Sequence, residues 1–298
     1  MALATALRSM IAALILAGPP PGLTLRHLAY HGHDGTYYVH IPATPRGAAV
    51  LVLHGGLGNG RAMARLTRFS EAADANGFIA VYPNADGNWN DGRETTTRDW
   101  ADAGFLRAVA ADLEAKDHVD PKRLFVTGIS NGGIMTLALA CDASDAFAAF
   151  AAVAGNMAQA LQPNCKPSRP VPLMMFNGTA DTFVPWKGGE VRHNRLMGAG
   201  GHVISTPATF DFWRQADGCT GAGDSTAMPD VANDGTTVTR HRYDACANGT
   251  ALVLYEINGG GHAWPGAPGR SRFHITGTTT HDIDATPLIV EFFKRFGL

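Results

Sequence analysis

The sequence predicts an α/β fold with a mostly parallel central sheet that helices cover on both faces. Short apolar runs that end in Gly alternate along the chain with segments whose apolar residues recur at helical spacing. Parallel strands are buried on both faces and read as continuous apolar runs, and helices usually connect them through right-handed crossovers. The 298 residues are 45% hydrophobic and 17% charged, which is enough apolar surface for one large core.

The first predicted element is an antiparallel hairpin at the edge of the sheet. Residues 27–43, "HLAYHGHDGTYYVHIPA", alternate apolar and polar side chains around Asp34-Gly35. An Asp-Gly pair between alternating runs favours a tight hairpin turn. The continuous run "AAVLVLHGG" at 48–56 then predicts the first buried parallel strand.

Helices and strands alternate through the middle of the chain. A helix is predicted from Arg61 to Asn76 and ends at Gly77, and "FIAVYP" at 78–83 is the next strand. One face of a further helix is marked by Phe105, Leu106, Val109, Ala110 and Leu113.

The C-terminal half continues the pattern. Four more apolar runs predict strands: "RLFVTGIS" at 123–130, "FAAFAAVAG" at 147–155, "VPLMMFNG" at 171–178 and "LVLYEINGG" at 252–260. The last helix has an apolar face made by Leu288, Ile289, Phe292, Phe293 and Phe296. Residues 220–234 are polar and Gly-rich, which predicts a loop.

The N-terminus predicts export. Residues 1–22, "MALATALRSMIAALILAGPPPG", combine one Arg, a short apolar run and a proline break, as a signal peptide does. The run is too short to span a bilayer comfortably, and the alternative is a frayed apolar tail. We expect residues 23–298 to form a single domain without a lid, in a secreted or periplasmic protein.

Charge and cysteine content narrow the class of protein. The net charge is −2 with no Lys/Arg block, which argues against a nucleic-acid partner. The four cysteines, at 141, 165, 219 and 246, fit no zinc pattern. Their even number suits two disulfides in an oxidising compartment. Four cysteines allow three connectivities, and four buried thiols are the alternative.

A Ser lies at a corner between a strand and a helix. Gly128 to Gly132, "GISNG", follows an apolar strand and opens a helical segment, which is the context of a nucleophile elbow. The glycines are expected because any Cβ there would clash, and Ser130 would lie at the N-terminus of a helix, where negative charge is favoured. The alternative is a Gly-rich turn with an idle Ser.

A Ser hydroxyl needs a base, and that base needs a carboxylate that orients it. Asp181 follows the run at 171–178, and His262 follows the last strand on a Gly-Gly-Gly loop. This is the chain order Ser, acid, His that the elbow fold requires. The rivals follow no strand or lie within a helical pattern; they are Asp211, Asp217, Asp224, His274 and His281.

Two backbone amides should bind the developing oxyanion. One is predicted to be that of Asn131, directly after the Ser. The other is predicted in "LHGGLG" at 53–58, from Leu57 or Gly56, with His54 in a structural role. An ordinary glycine turn is the alternative.

Several stretches, in order along the chain, resemble a known family. They are "HGGLGNG", "VYPNADGNWND", "DAGFLRAVAADL", "VDPKRLFVTGISNGGIM", "FNGTADTFVPW" and "NGGGHAWPG". Together they are similar to secreted polyhydroxybutyrate-depolymerase-like esterases of the α/β-hydrolase fold, a group related to feruloyl and acetyl xylan esterases. The resemblance covers roughly residues 25 to 298.

The resemblance implies a role for each of these residues. Ser130 would be the nucleophile, Asp181 the acid and His262 the base of a serine esterase. The disulfides would be Cys141–Cys165 and Cys219–Cys246, with no metal or organic cofactor. The partner would be a small, oligomeric or polymeric ester.

Substrate residues are predicted only among the tryptophans. Trp264 lies two residues after His262, and Trp89 and Trp100 lie on the loop after "FIAVYP". Each could line the substrate pocket or pack in the core. The sequence does not separate aliphatic polyesters from feruloyl or acetyl esters. A serine peptidase of the same fold and a non-catalytic binding protein are the alternative functions.

Overall fold

The computed structural model describes residues 22–96, 101–192, 200–268 and 276–298. The predicted signal peptide, apart from Gly22, and two predicted site candidates, Trp100 and the rival His274, lie outside these ranges.

Strands and helices alternate as the sequence predicts. The N-terminal half contains β1 (Thr24–Tyr30), β2 (His33–His40), β3 (Ala49–Leu53), α1 (Gly60–Thr67), α2 (Phe69–Asn76), β4 (Ile79–Asn84), α3 (Asp102–Asp117), β5 (Leu124–Ile129) and α4 (Asn131–Asp142). The C-terminal half contains β6 (Ala149–Val153), β7 (Leu173–Gly178), β8 (Gly189–Glu190), β9 (His202–Val203), α5 (Thr206–Ala216), β10 (Asp224–Ala227), β11 (Thr237–Tyr243), β12 (Leu252–Asn258) and α6 (Ala285–Lys294).

Within the described residues, ten strands form one sheet in the order β1-β2-β4-β3-β5-β6-β7-β12-β11-β10. The six strands from β4 to β12 are parallel to one another, and two antiparallel strands extend the sheet at each edge. The core lies on both faces: α3, α4 and α5 cover one, and α1, α2 and α6 cover the other. The predicted fold class is confirmed.

The edge hairpin is present, but its turn is not at Asp34-Gly35. The turn is at His31 and Gly32, which both have positive φ, of 47° and 80°. Gly35 lies in β2, where a Cβ would come 2.3 Å from the Phe105 ring of α3. The glycine therefore allows a helix to approach the sheet, and the sequence signal was assigned to the wrong cause.

The predicted helix over 61–76 is broken. Arg68 has a φ of 54° and ends α1, with its N–H donating to the Ala64 carbonyl oxygen. The chain then turns into α2, where Phe69 packs edge-on against Trp264 at 6.2 Å between ring centroids. Helical spacing alone does not detect this left-handed residue.

The predicted loop over 220–234 contains a strand. All four residues of β10 are exposed, and the strand pairs with β11 in antiparallel register. Because β10 buries no apolar side chain, it lacks the alternation that marks a strand in a sequence.

The four cysteines pair as Cys141–Cys165 and Cys219–Cys246. No helix of the described ranges is both long enough and apolar enough to cross a membrane.

A buried carboxylate lies beside the second disulfide, near the start of β7. The Asp217 side chain is fully buried, and its Oδ1 accepts a hydrogen bond from the Val171 N–H at 2.8 Å. Its Oδ2 has no partner in the part of the chain that the structure describes. Burial disfavours the charged form and raises the pKa of Asp217 to about 7.

We expect Asp217→Asn to stabilise the protein at pH 8 more than at pH 4. The folded state keeps the Asp217 proton up to about pH 7, whereas the unfolded chain releases it near pH 4, so the wild type loses stability as pH rises between these values. At about 1.4 kcal/mol per pKa unit, the difference between variant and wild type should grow by up to about 4 kcal/mol. Urea unfolding at both pH values measures it, and an equal difference at both would contradict the assignment.

Candidate active site

Ser130 occupies the corner between β5 and α4. Its φ of 59° and ψ of −125° lie outside the regions that a Ser side chain ordinarily adopts. The Ser130 N–H donates to the Val153 carbonyl at 2.9 Å, and its own carbonyl accepts the first bond of α4, from Ile134, at 2.8 Å. These bonds fix the strained residue and leave its side chain partly exposed at the carboxyl edge of the sheet.

Glycines on both sides allow this corner to form. A Cβ on Gly128 would lie 2.5 Å from the Gly132 carbonyl oxygen, and a Cβ on Gly132 would lie 2.5 Å from the Leu53 and His54 carbonyl oxygens. Backbone atoms cannot give way as a flexible side chain can. The predicted clash at both positions is confirmed.

Asp181 and His262 come together at the same edge. The His262 Nδ1 and the Asp181 Oδ2 are 2.8 Å apart. The other carboxylate oxygen accepts the N–H groups of Phe183 at 2.7 Å and Val184 at 2.9 Å. Because a carboxylate only accepts, Nδ1 carries the proton and Nε2 is left able to accept one.

The loops that hold these two residues contact each other directly. The Ala180 N–H donates to the Gly260 carbonyl at 2.9 Å, and a Cβ on Gly178 would come 2.3 Å from the same oxygen. Phe183 stacks on the His262 imidazole with ring centroids 5.1 Å apart. The imidazole is therefore oriented by both a hydrogen bond and a ring contact.

Ser130 and His262 line one cavity of about 530 Å³. No hydrogen bond joins the two side chains among the described residues, and such bonds are often long until a substrate binds. The walls are mainly apolar and include Met63, Leu66, Ile129, Phe183, Trp264 and Ala267. No Asp, Glu, Lys or Arg of the described ranges lines this space.

The glycines after β3 lie against the corner. A Cβ on Gly55 would be 3.3 Å from the Ser130 Cβ, and one on Gly56 would be 3.9 Å from the Asn131 Cβ. Gly56 lines the cavity, and Asn131 begins α4. These two residues bring their backbones together beside Ser130, as an oxyanion site requires.

Leu57, the other predicted source of an oxyanion amide, does not fit. Its N–H donates to the Gly87 carbonyl at 2.9 Å, and its side chain is 54% exposed and does not line the cavity. The amide of Leu57 is therefore used to hold the loop, and Gly56 remains the candidate.

His54 holds the loop after β3 in place through both nitrogens of its ring. Its Nε2 accepts the Ala85 N–H at 3.0 Å, and its Nδ1 lies 2.7 Å from the Gly55 carbonyl oxygen. Burial lowers the pKa of His54 to about 4, so the ring is neutral at physiological pH and carries its proton on Nδ1. This geometry agrees with the structural role expected for His54.

The predicted tryptophans differ in their positions. Trp264 has one edge on the cavity but is 2% exposed, and its indole N–H donates to Thr286 Oγ1 at 3.1 Å. Trp89 is fully buried and does not line the cavity, because its indole N–H is directed to the His54 carbonyl at 2.9 Å. Its predicted contact with substrate is wrong.

The sequence analysis missed Met63 and Leu66. Both lie on α1, the helix that follows the glycine loop after β3, and both line the cavity. Their position directly after "HGGLG" was the signal that could have identified them. None of the rivals Asp211, Asp217 and Asp224 lines the cavity.

No group of three or more His, Cys, Asp or Glu side chains that could hold a metal ion occurs in the described ranges.

A Ser at a strand-to-helix elbow, with an Asp-oriented His at the same edge of a parallel sheet, defines the α/β-hydrolase class. An acetyl xylan esterase from Aspergillus awamori has the same fold, with a TM-score of 0.60, 15% identity, and coverage of 91% of this chain and 99% of that one. The sequence profile of the prolyl oligopeptidase family matches residues 68–162.

Relatives by sequence identify the family. "Putative esterase NocK" of Nocardia uniformis subsp. tsuyamanensis is 32% identical over 286 residues, covering 90% of this chain and 82% of that protein. Feruloyl esterase B of Piromyces equi is 33% identical, covering 59% of this chain and 31% of its own length. Poly(3-hydroxyalkanoate) depolymerase C of Paucimonas lemoignei is 26% identical, covering 78% of this chain and 59% of that protein.

The chain thus spans less than two thirds of the last two relatives but most of the first. It belongs to the α/β-hydrolase esterase family and is a carboxylic ester hydrolase.

We expect acid to weaken the protein through His54. The imidazole is neutral in the folded state down to about pH 4, whereas an unfolded His gains a proton near pH 6.5, so the stability that neutral His54 contributes is lost as pH falls between these values. His54→Gln can still accept the Ala85 N–H and does not titrate. The advantage of wild type over this variant should shrink by up to about 3 kcal/mol from pH 7 to pH 4 in chemical unfolding. A constant advantage would show that His54 is not the titrating group.

Proposed function

We propose that this protein is a secreted serine esterase that acts through an acyl-enzyme, with residues 23–298 as one catalytic domain. One observation carries the proposal: Ser130 and His262 line the same apolar cavity at the carboxyl edge of the sheet, and Asp181 hydrogen-bonds to His262 from behind the cavity wall. The two disulfides and the N-terminal apolar segment support secretion or a periplasmic location.

The proposed reaction has two acyl-transfer steps. Ser130 Oγ attacks the ester carbonyl while His262 Nε2 takes its proton, and Asp181 stabilises the imidazolium. The Asn131 and Gly56 amides bind the oxyanion at the N-terminus of α4. His262 then gives the proton to the leaving alcohol. It next deprotonates a water that attacks the acyl-enzyme, and returns that proton to Ser130 as the acid leaves.

The cavity favours an uncharged acyl group. Its volume of about 530 Å³ can enclose an aromatic or short aliphatic acyl group, and its apolar walls would leave a charge unpaired. The proposed substrates are hydroxyalkanoate esters and oligomers, or feruloyl and acetyl esters of plant polysaccharide. The names of the relatives support both classes.

A serine peptidase is the second candidate function, because the prolyl oligopeptidase profile matches the segment that contains Ser130. Hydrolysis of peptide p-nitroanilides with a proline at the cleavage site, at rates above those for esters, would favour it.

Ser130→Ala should reduce turnover of p-nitrophenyl butyrate by at least about 10⁴-fold, because the nucleophile is lost. Circular dichroism and the melting temperature should remain close to those of the wild type, since Ala can occupy the same corner. Labelling by a fluorophosphonate probe should disappear in parallel. Retained turnover in a folded variant would refute the assignment of Ser130.

Ala62→Phe should discriminate against bulky acyl groups. Ala62 lines the cavity, so a Phe there fills space that the acyl group would occupy. We expect kcat/KM for methyl ferulate to fall about 10-fold or more, and that for p-nitrophenyl acetate to fall less than about 3-fold. Ala75→Phe, the same change at an exposed position of α2, is the matched control. Equal losses on both esters would contradict an acyl-binding role for this cavity.

A further inference from the structure

One segment contacts both halves of the proposed oxyanion site. It comprises residues 85–91, directly after β4. Three of its groups bind the loop after β3: the Ala85 N–H donates to His54 Nε2 at 3.0 Å, the Gly87 carbonyl accepts the Leu57 N–H at 2.9 Å, and the Trp89 indole donates to the His54 carbonyl at 2.9 Å. The position of Gly56 therefore depends on this segment.

The same segment binds the residue after the nucleophile. The Asn131 carboxamide pairs with the Trp89 backbone, accepting its N–H at 2.7 Å and donating to its carbonyl at 3.0 Å. The second N–H of the carboxamide donates to Asp91 Oδ2 at 2.6 Å. Three hydrogen bonds therefore hold the side chain of Asn131, and the backbone N–H of the same residue is the other proposed oxyanion donor.

The segment ends at a buried ion pair. Asp91 is fully buried and Arg93 is 2% exposed. The Arg93 Nε lies 3.0 Å from both Asp91 oxygens and its Nη2 lies 2.8 Å from Oδ2. Thr96 Oγ1 donates to Asp91 Oδ1 at 2.8 Å, and Arg93 Nη1 donates to the Gly200 carbonyl at 2.5 Å.

We infer that Asp91 and Arg93 are positioning residues for the oxyanion site, acting through the Asn131 carboxamide; this inference rests on the proposed function. A buried ion pair adds little net stability, because desolvation offsets the attraction between the charges. The pair does fix the position of the Asp91 carboxylate, because each of its oxygens accepts directional hydrogen bonds from neighbouring groups. Asn131 follows the strained Ser130 and needs such a restraint for its N–H to stay aimed at the developing charge.

The test uses double variants, so that no buried charge is left alone. Asp91→Leu with Arg93→Met removes both charges and the acceptor for Asn131. We expect kcat for p-nitrophenyl butyrate to fall about 10- to 100-fold with KM changed less than about 3-fold, because alignment matters chiefly in the transition state. The inhibition constant of 1-butaneboronic acid, which forms a tetrahedral adduct on a Ser, should rise by the same factor as kcat falls.

Asp91→Asn with Arg93→Met is the rescue variant. It restores a carbonyl acceptor for Asn131 without the charges, and kcat should return to within about 5-fold of the wild type. Arg26→Met with Asp117→Leu is the matched control, because it removes a largely buried, bidentate pair between β1 and α3, away from the cavity. Its kcat and boronate inhibition should match those of the wild type.

An unchanged kcat in the Leu/Met variant, or losses in the Arg26/Asp117 control of the same size, would overturn the inference. If the Asp91→Leu, Arg93→Met variant does not fold, Thr96→Val tests the inference in its place. This change removes one hydrogen bond to Asp91 and keeps the ion pair. It should lower kcat about 3-fold and raise the boronate constant equally, and wild-type values would overturn the inference. A wild type without Ser130-dependent turnover would refute the proposed function instead.

Discussion

The close approach of three backbone segments at one corner is the constraint on which the rest of the structure depends. The chain after β3, the turn at Ser130 and the first turn of α4 come so near that Gly128 and Gly132 have no room for a Cβ. A Ser in such a conformation is unfavourable by itself, at about 1–3 kcal/mol, and the surrounding bonds must hold it. The result is a hydroxyl at the sheet edge with two backbones, those of Gly56 and Asn131, beside it.

The parallel sheet explains why distant residues meet there. The carboxyl ends of β3, β5, β7 and β12 lie at one edge, and the loops that follow them carry Gly56, Ser130, Asp181 and His262. The loops after β7 and β12 are bonded to each other through the Ala180 N–H and the Gly260 carbonyl, and the segment at 85–91 is bonded both to the loop after β3 and to Asn131. Apolar side chains of α1 complete the cavity, and the low dielectric they create strengthens every charge interaction inside it.

The sequence was sufficient to predict a strand or a site residue where the pattern that marks it lies within one element. Buried parallel strands are continuous apolar runs, so their ends could be located, and Ser130, Asp181 and His262 each follow such an end. The sequence was insufficient where the role of a residue depends on a contact with a residue far away along the chain. Gly35 was assigned to a turn because the sequence does not show that the Phe105 ring packs against it. Leu57 and Trp89 were misassigned because the partners of their N–H groups lie 30 or more residues along the chain. The polar strand β10 and the left-handed Arg68 carry no pattern at all.

The pairing of β7 with β12 brings together two site residues that are far apart in the chain. Asp181 and His262 are 81 residues apart in sequence, and they can meet only after β12 pairs with β7. Contacts of such long range form slowly, because the entropy of closing the loop is lost before the contact is gained. We therefore expect a newly made chain to contain its Ser130 corner before Asp181 and His262 meet, so that under the proposed mechanism ester hydrolysis begins only after β12 has paired with β7.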